Sequence, residues 1–380
     1  MALFKAGTYR QQEGYKSFAP SLVNVPFEWK DKSIDVLLSD AMRYLGELNA
    51  YSKLVPNVGF FIQMYVAKEA TVSNRIEGTR TNLNEALLPK LEIDPEKRDD
   101  WHEVQNYIKA INYSIEKLSQ PSEPPFSIRL IKEAHKILLS DVRGYSKLPG
   151  EIRRSQNWIG GSTLKDAVFI PPHHTEVADL LGDLEKFLHN KHVQVPDLIR
   201  TAVGHYQFET IHPFLDGNGR IGRLMITLHL VSLGILKKPT LYLSDFFEKH
   251  RTSYYDALSR VRTANDLEHW IKFFLTGVVD TAKKGRETLE KIIDLQLKYT
   301  KAIESGVGMR RQKLAKELLK KLYEAPIVTI NDITLLVPMT FPTAAAIAKD
   351  FERIGLFIEK TGRRKDRIFY LREYLDLFND

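Results

Sequence analysis

The sequence contains no cysteine, which excludes disulfides, thiolate zinc sites, iron–sulfur clusters and cysteine nucleophiles together. It also has no run of about 18 apolar residues able to span a bilayer, and the opening MALFKAGTYRQQEGYKSFAP lacks the apolar centre of a signal peptide. No membrane partner and a cytoplasmic location are therefore expected. No repeat with a period of about 20–50 residues recurs. Charge of one sign is scarcely in excess either: 55 Lys and Arg against 48 Asp and Glu leave +7 over 380 residues, too little to demand a polyanionic partner. What is present is a globular composition, 43% hydrophobic and 27% charged, at a length for which two or three domains are expected.

Most of the chain reads as helix. Ile34, Leu37, Leu38, Ala41, Leu45 and Leu48 recur at helical spacing, and a second apolar face begins at Phe60, Phe61, Met64 and Tyr65 and reaches a polar end at Asn74. The same period returns over Trp101–Leu118 and Ile128–Leu139, with Pro124 and Pro125 marking the break between them. Between Gly144 and Pro172 the pattern changes, and β-like runs at Asn157–Ile159 and Ala167–Ile170 flank Gly160-Gly161, a hairpin signal. Helices resume from Val177, again at Pro196, suited to a first turn, and after Gly219, the last stopped by Gly234. A linker is expected around Ser305–Gly308. Beyond it come a helix with Leu314, Leu318 and Leu322, and a short helix opened by Thr329 with Asp332 three residues on. A helix from Pro342 to Ile354 and two strands, Leu356–Lys360 and Arg367–Leu371, complete the chain. Three helices and a basic hairpin resemble a winged helix-turn-helix, with a small docking domain as the plainer reading of the same elements.

The run Ile211-His212-Pro213-Phe214-Leu215-Asp216-Gly217-Asn218-Gly219-Arg220-Ile221-Gly222-Arg223 is the most informative. Gly217 and Gly219 can take left-handed dihedrals without a Cβ penalty, so successive N–H groups can form an anion nest at the N-terminus of the following helix. Arg220 and Arg223 offer planar forks suited to phosphate oxygens, where local electrostatics alone would prefer acids. Asp216 supplies a hard carboxylate for Mg²⁺, and His212 titrates near neutrality and can take a proton from an attacking hydroxyl. Together these residues read as a phosphate site.

His212 to Arg223 resembles the Fic family signature H-P-F-x-D-G-N-G-R-x-x-R at every fixed position, and His205–Ile211 ahead of it is similar to the family as well. The resemblance implies an all-α Fic fold with a small β-hairpin flap, plus a C-terminal winged helix-turn-helix domain. It divides the chain into an N-terminal helical region (1–100), a core (101–285), a helical linker (286–308) and the winged helix (309–380). It also implies transfer of AMP from ATP, with Mg²⁺, to a Ser, Thr or Tyr hydroxyl of a protein. His212 would be the base, Asp216 the Mg²⁺ ligand, and the backbone of Gly217, Asn218 and Gly219 the nest. Arg220 and Arg223, with Gly222 between them, would bind the β- and γ-phosphates. Gly219 stands where members resembling the Doc kinase carry lysine, which favours adenylyl over phosphoryl transfer. Leu241–Ser244 and Arg251–Tyr255 resemble the adenine-side segment, with Tyr254 and Tyr255 packing near the base unless one of them is core. The 157–170 flap would hold the target by strand addition; a surface loop without a partner is the plainer alternative.

Ser73-Asn74-Arg75-Ile76-Glu77-Gly78 matches the family's inhibitory pattern [S/T]-x-x-x-E-[G/N]. Ser73, Glu77 and Gly78 would then form a stop, with Glu77 taking the fork of Arg223 as a bidentate pair and misaligning ATP. Two rivals stand beside this reading. Glu77 could position a water that removes AMP from a modified target, or residues 310–380 could make the chain a nucleotide-sensing DNA-binding regulator, with Arg363, Arg364, Lys365 and Arg367 on the wing. The resemblance also implies a homodimer and admits self-modification.

Overall fold

A computed structural model describes residues 4–55, 59–120, 126–142 and 144–379 of the chain. Pro124 and Pro125, named above as a break, lie outside the described residues, as does the side chain of Phe60. The chain opens with an antiparallel hairpin, β1 (Gly7–Gln11) and β2 (Lys16–Pro20), for which the amino-acid pattern carries no strong signal. Phe18 and Ala19 of β2 are buried, while β1 is polar and exposed, so only one of its strands carries a hydrophobic signal.

Helices α1 (Ser33–Leu54), α2 (Gly59–Ile76), α4 (Arg98–Ser119), α5 (Ile128–Leu138) and α6 (Val177–His189) follow where the periodicity places them, and the short α3 (Leu83–Leu87), too short to show a period, is added between α2 and α4. Asn74, read as a polar end, is fully buried inside α2, where its Nδ2 donates to Ala70 O at 2.7 Å. Next come α7 (Asp197–Ile211), which Pro196 precedes by one residue, and α8 (Asn218–Ser232), then α9 (Ser244–Lys249) and α10 (Arg251–Ala264). Both α7 and α8 are buried on nearly every face. A helix apolar all round belongs at the centre of a bundle, and α2, α4, α5 and α6 pack around this pair. The six residues between α7 and α8 are thus held at both ends by core.

The expected linker is not a break in structure. One helix, α11 (Leu267–Gly306), runs 40 residues along α1, so the division at 285 falls inside it and Ser305-Gly306 form its last turn. The C-terminal part contains α12 (Met309–Leu322), β3 (Ile327–Thr329), α13 (Ile330–Leu336), α14 (Phe341–Arg353), β4 (Phe357–Glu359), β5 (Ile368–Leu371) and α15 (Arg372–Asn379). Thr329 and Asp332 form the capping box at the start of α13. β3 and α15 escaped the sequence reading because each is short, and the sheet order β3-β5-β4 buries β5 on both sides.

The flap differs from the expected hairpin. Asn157–Ile159 and Ala167–Ile170 are not strands but meet in one antiparallel bridge, Ile159 with Phe169. Gly160 and Gly161 take φ of 68° and 72° but do not close a two-residue turn. Instead the Asp166 carboxylate accepts from both the N–H and the hydroxyl of Ser162 and of Thr163, which makes a longer loop self-contained.

Among the described residues no single helix is long and apolar enough to cross a membrane.

Candidate functional site

The α7–α8 loop is shaped by its own side chains. His212 caps α7 in the left-handed region at φ 49°, and Gly217 precedes α8 at φ 75°. Asn218 closes the turn: its Oδ1 accepts from Phe214 N and its Nδ2 donates to Phe214 O, both at 2.8 Å. Of the two glycines expected to be left-handed only Gly217 is, since Gly219 lies inside the first turn of α8. Gly219 is required for space instead. A Cβ there would lie 2.5 Å from Glu77 Oε1 and 3.0 Å from Arg223 Nη1. A carboxylate oxygen is therefore seated against the N-terminus of α8, where backbone N–H groups and the helix dipole favour an anion.

Glu77 follows the end of α2 and reaches Arg223, whose Nη2 donates to Glu77 Oε1 at 2.7 Å. The pair is not the expected bidentate one. Arg223 also sends Nε to Ser73 Oγ at 2.8 Å and Nη2 to Ser73 O at 2.9 Å, so Ser73 and Glu77 share the fork. Burial works to raise the Glu77 carboxyl, but the charge and hydrogen bond of Arg223 outweigh it and hold the group below its ordinary range. Gly78 follows at φ 99° and turns the chain away, and Arg251 of α10 caps α2 by donating Nη2 to Ile76 O at 2.9 Å. Behind Ser73, Tyr107 and Glu69 continue the network, and burial pushes the Glu69 carboxyl up to about 7.

Arg220 is buried as well, with Nη1 donating to Glu103 Oε2 at 3.0 Å and to Asn74 Oδ1 at 3.3 Å. Glu103 was not among the residues singled out in the sequence, because α4 presents it as one acid in an amphipathic helix. Asp216 is half-exposed; its Oδ1 accepts from Gly217 N at 2.6 Å and is 3.5 Å from Arg220 Nη2. Mg²⁺ takes one or two protein carboxylates together with substrate phosphates. A single accessible carboxylate beside an anion site fits that ion, and among the described residues no cluster of three or more metal-ligating side chains is present.

His212 sits between α7 and the flap. Burial, helped by the charge of Arg153, lowers its imidazole to about 4, and its Nδ1 has no hydrogen-bond partner among the described residues. The ring is therefore neutral at physiological pH, the form a proton acceptor needs. Its NMR signals are expected to stay those of neutral imidazole from pH 8 down to pH 6, well above its midpoint, as followed by long-range ¹H–¹⁵N spectra. A titration centred near the ordinary value of about 6.5 would contradict the buried placement.

Two positioning residues also went unnoticed in the sequence. Buried Arg153 donates to the carbonyls of His212 (3.0 Å), Pro172 (2.6 Å), Ile211 (3.3 Å) and Ser155 (3.3 Å), tying the flap's base to the end of α7. His135 of α5 accepts from Gly150 N at Nδ1 (2.8 Å), so its Nε2–H donates to Asp216 O (2.9 Å), and its ring stacks on Phe214 at 3.8 Å. Both acts depend on carbonyls or amides far along the chain, which leave no local pattern.

The tyrosines separate. Tyr254 is core, its hydroxyl bonded to His205 Nε2 at 2.8 Å, while His205 Nδ1–H donates to Gly222 O at 2.9 Å. Tyr255 is 43% exposed and near enough to Glu77 and Arg223 to feel their charges. Leu241–Ser244 is buried, and Ser244 donates to Glu69 at 2.6 Å rather than facing a ligand. Gly222 leaves room for Glu209, whose Oε1 a Cβ would strike; burial raises that carboxyl to about 7. On the C-terminal hairpin, Arg363 pairs with Glu92 at 2.9 Å and Arg367 with Glu352 at 2.7 Å, leaving Arg364 and Lys365 exposed.

The family models for the Fic/DOC family N-terminal region and the Fic/DOC family match residues 36–116 and 125–230. Curated relatives are named protein adenylyltransferase Fic. That of Drosophila erecta is 26% identical over 274 residues, 71% of this chain and 48% of that protein. That of Aedes aegypti is 26% identical over 242 residues, 63% of this chain and 43% of its own length. The chain thus spans about half the length of the curated relatives it matches. Among solved structures, a Fic family protein from Desulfovibrio desulfuricans has a TM-score of 0.57 at 19% identity, covering 91% of this chain and 98% of that one. Fic-1 from C. elegans has a TM-score of 0.52 at 21% identity, covering 69% and 73%. At these identities the structures speak for the fold, and the two family models fall on α1–α4 and on the elements that carry the His212–Arg223 run. The stretches at residues 36–116 and 125–230 are thus those of the Fic/DOC family.

Proposed function

We propose that the chain transfers AMP from ATP to a Ser, Thr or Tyr hydroxyl of a protein and that Glu77 restrains the transfer. The observation that carries this reading is the start of α8. Gly219 and Arg223 meet there at a position against which a carboxylate of the chain itself is already seated, and Arg220 lies near enough for its charge to reach that carboxylate. The nest and the two forks would hold the β- and γ-phosphates and leave the α-phosphorus toward His212. The target's hydroxyl oxygen forms the new bond to that phosphorus, its proton passes to the neutral His212 imidazole, and the bond to the β-phosphate oxygen breaks so that pyrophosphate leaves. Mg²⁺ on Asp216 would supply charge neutralisation for the phosphates. Arg153 and His135 act through others: they fix the carbonyls of His212 and Asp216 and thereby the spacing between base and nest.

The flap is the natural docking edge for an extended target segment, since Asn157 sends Nδ2 to Phe214 O at 2.9 Å and the next residues, Trp158 and Ile159, are partly exposed. Tyr255, not Tyr254, is the aromatic available to an adenine ring. The last 72 residues are read as a winged helix that docks protein rather than DNA. Two of its four wing cations are already paired, and the first turn of α14 exposes Phe341 and Pro342 rather than a polar reader of base edges, with Lys349 and Arg353 only in its later turns.

The test is mass spectrometry of a cell lysate incubated with ATP and the Glu77→Gly protein. AMP esters on Ser, Thr or Tyr side chains are expected. Phosphate esters alone, or no adduct, would overturn the reading.

A further inference from the structure

α8 carries two buried arginines one turn apart, and their guanidinium edges are used differently. On Arg223 the Nε–Nη2 edge is filled by Ser73 and Glu77. On Arg220 the close contacts fall on Nη1, which donates to Glu103 Oε2 at 3.0 Å and Asn74 Oδ1 at 3.3 Å. Its Nη2 has a long 3.5 Å approach to Asp216 Oδ1, and its Nε is buried with no hydrogen-bond partner among the described residues. An unpaired donor on a buried permanent cation is costly. Here it lies on the edge that adjoins Asp216, the half-exposed carboxylate to which the nucleotide reading assigns Mg²⁺.

Glu103 comes from α4, outside both the loop and the inhibitory motif, and is 4% exposed, as is Arg220. A carboxylate so placed does two things at once. It balances a guanidinium that cannot discharge by losing its proton, and by holding one corner it fixes the plane of the fork. It differs from Glu77 in position: the carboxylate seated at Gly219 is that of Glu77, and no Glu103 atom is among the nearest neighbours of that nest glycine.

We propose that Glu103 is a positioning residue that anchors Nη1 of Arg220 so that the Nε–Nη2 edge is presented to an oxyanion of the β- or γ-phosphate. The inference rests on the nucleotide reading above and assigns Glu103 an activating role, the opposite of Glu77.

The test is made in the Glu77→Gly protein, where Arg223 is released from its carboxylate partner and held by Ser73 alone. Calorimetric titration compares Mg-ATP with Mg-AMP, which lacks the β- and γ-phosphates. Glu103→Gln is expected to weaken ATP by about tenfold, the size of one charge-assisted hydrogen bond, while AMP affinity stays within about twofold. Breaking a buried pair can unfold a protein, so Glu103→Asp is measured beside it. That variant keeps the charge but withdraws the carboxylate by one methylene, and a smaller ATP-selective loss is expected. Combining Glu103→Gln with Arg220→Met should add nothing to the loss from Arg220→Met alone. Equal weakening of ATP and AMP would reduce Glu103 to a structural role and overturn the proposal; tighter ATP binding would make it a second stop and overturn it too. If the Glu77→Gly protein with Glu103 intact binds no ATP, the nucleotide reading itself falls, and this inference with it.

Discussion

Glu77→Gly is expected to raise labelling of protein by α-labelled ATP roughly 10- to 100-fold over wild type. The size follows from what the substitution releases. One charge-assisted hydrogen bond from Arg223 contributes ~1.5–3 kcal/mol, and each ~1.4 kcal/mol is a factor of ten in an equilibrium. Glu77 holds Arg223 at 2.7 Å, and a Cβ at Gly219 would lie 2.5 Å from its Oε1, so its removal releases Nη2 of Arg223 from one of its two acceptors and clears the position beside Gly219. The fold should survive, because Glu77 lies beyond the last residue of α2 and Ser73 remains to hold the rest of the Arg223 edge. Equal labelling by the two proteins, at equal near-ultraviolet circular dichroism, would mean that the contact does not restrain the reaction.

His212→Ala in the Glu77→Gly background is expected to lower transfer by roughly 10²–10⁴, the usual contribution of a positioned general base. ATP affinity should change little, because the forks and the nest lie on α8 and the imidazole is not one of their partners. The loss should appear in kcat rather than in KM for ATP. Alanine inherits the φ of 49°, which histidine tolerates better, so near-ultraviolet circular dichroism of the variant is compared with its parent. If labelling persisted at the parent rate, the proton would be going elsewhere and the base assignment would fail.

Much of this was legible in the sequence because the chemistry is concentrated in consecutive residues. His212, Asp216, Gly217, Arg220 and Arg223 come from one loop and one helical turn, so their spacing alone brings them together. Glu77 is legible by its motif, yet its seat against Gly219 is not, and Gly219, whose pattern suggests a left-handed backbone, provides room instead. Residues acting across the fold left no such trace. Arg153 binds a carbonyl 59 residues away, His135 one 81 residues away, and Glu103 meets Arg220 at a separation of 117. Each sits in a stretch that periodicity explains as ordinary helix or loop. The flap was over-read for a different reason: β-like runs on either side of Gly160-Gly161 suggested strands, but Asp166 satisfies the loop's donors locally and leaves one bridge. Tyr254 and Tyr255 looked equivalent because adjacent helical residues point apart, which only the packing resolves.

The central claim, AMP transfer restrained by Glu77, meets its most direct test in one paired reaction: wild type and Glu77→Gly, each incubated with a target protein and with ATP labelled at either the α- or the γ-phosphate. Label should stay on protein only from the α-phosphate, and much more strongly with Glu77→Gly, while the γ-label leaves in pyrophosphate. Retention of the γ-label on protein, or equal α-labelling by both proteins, would contradict it.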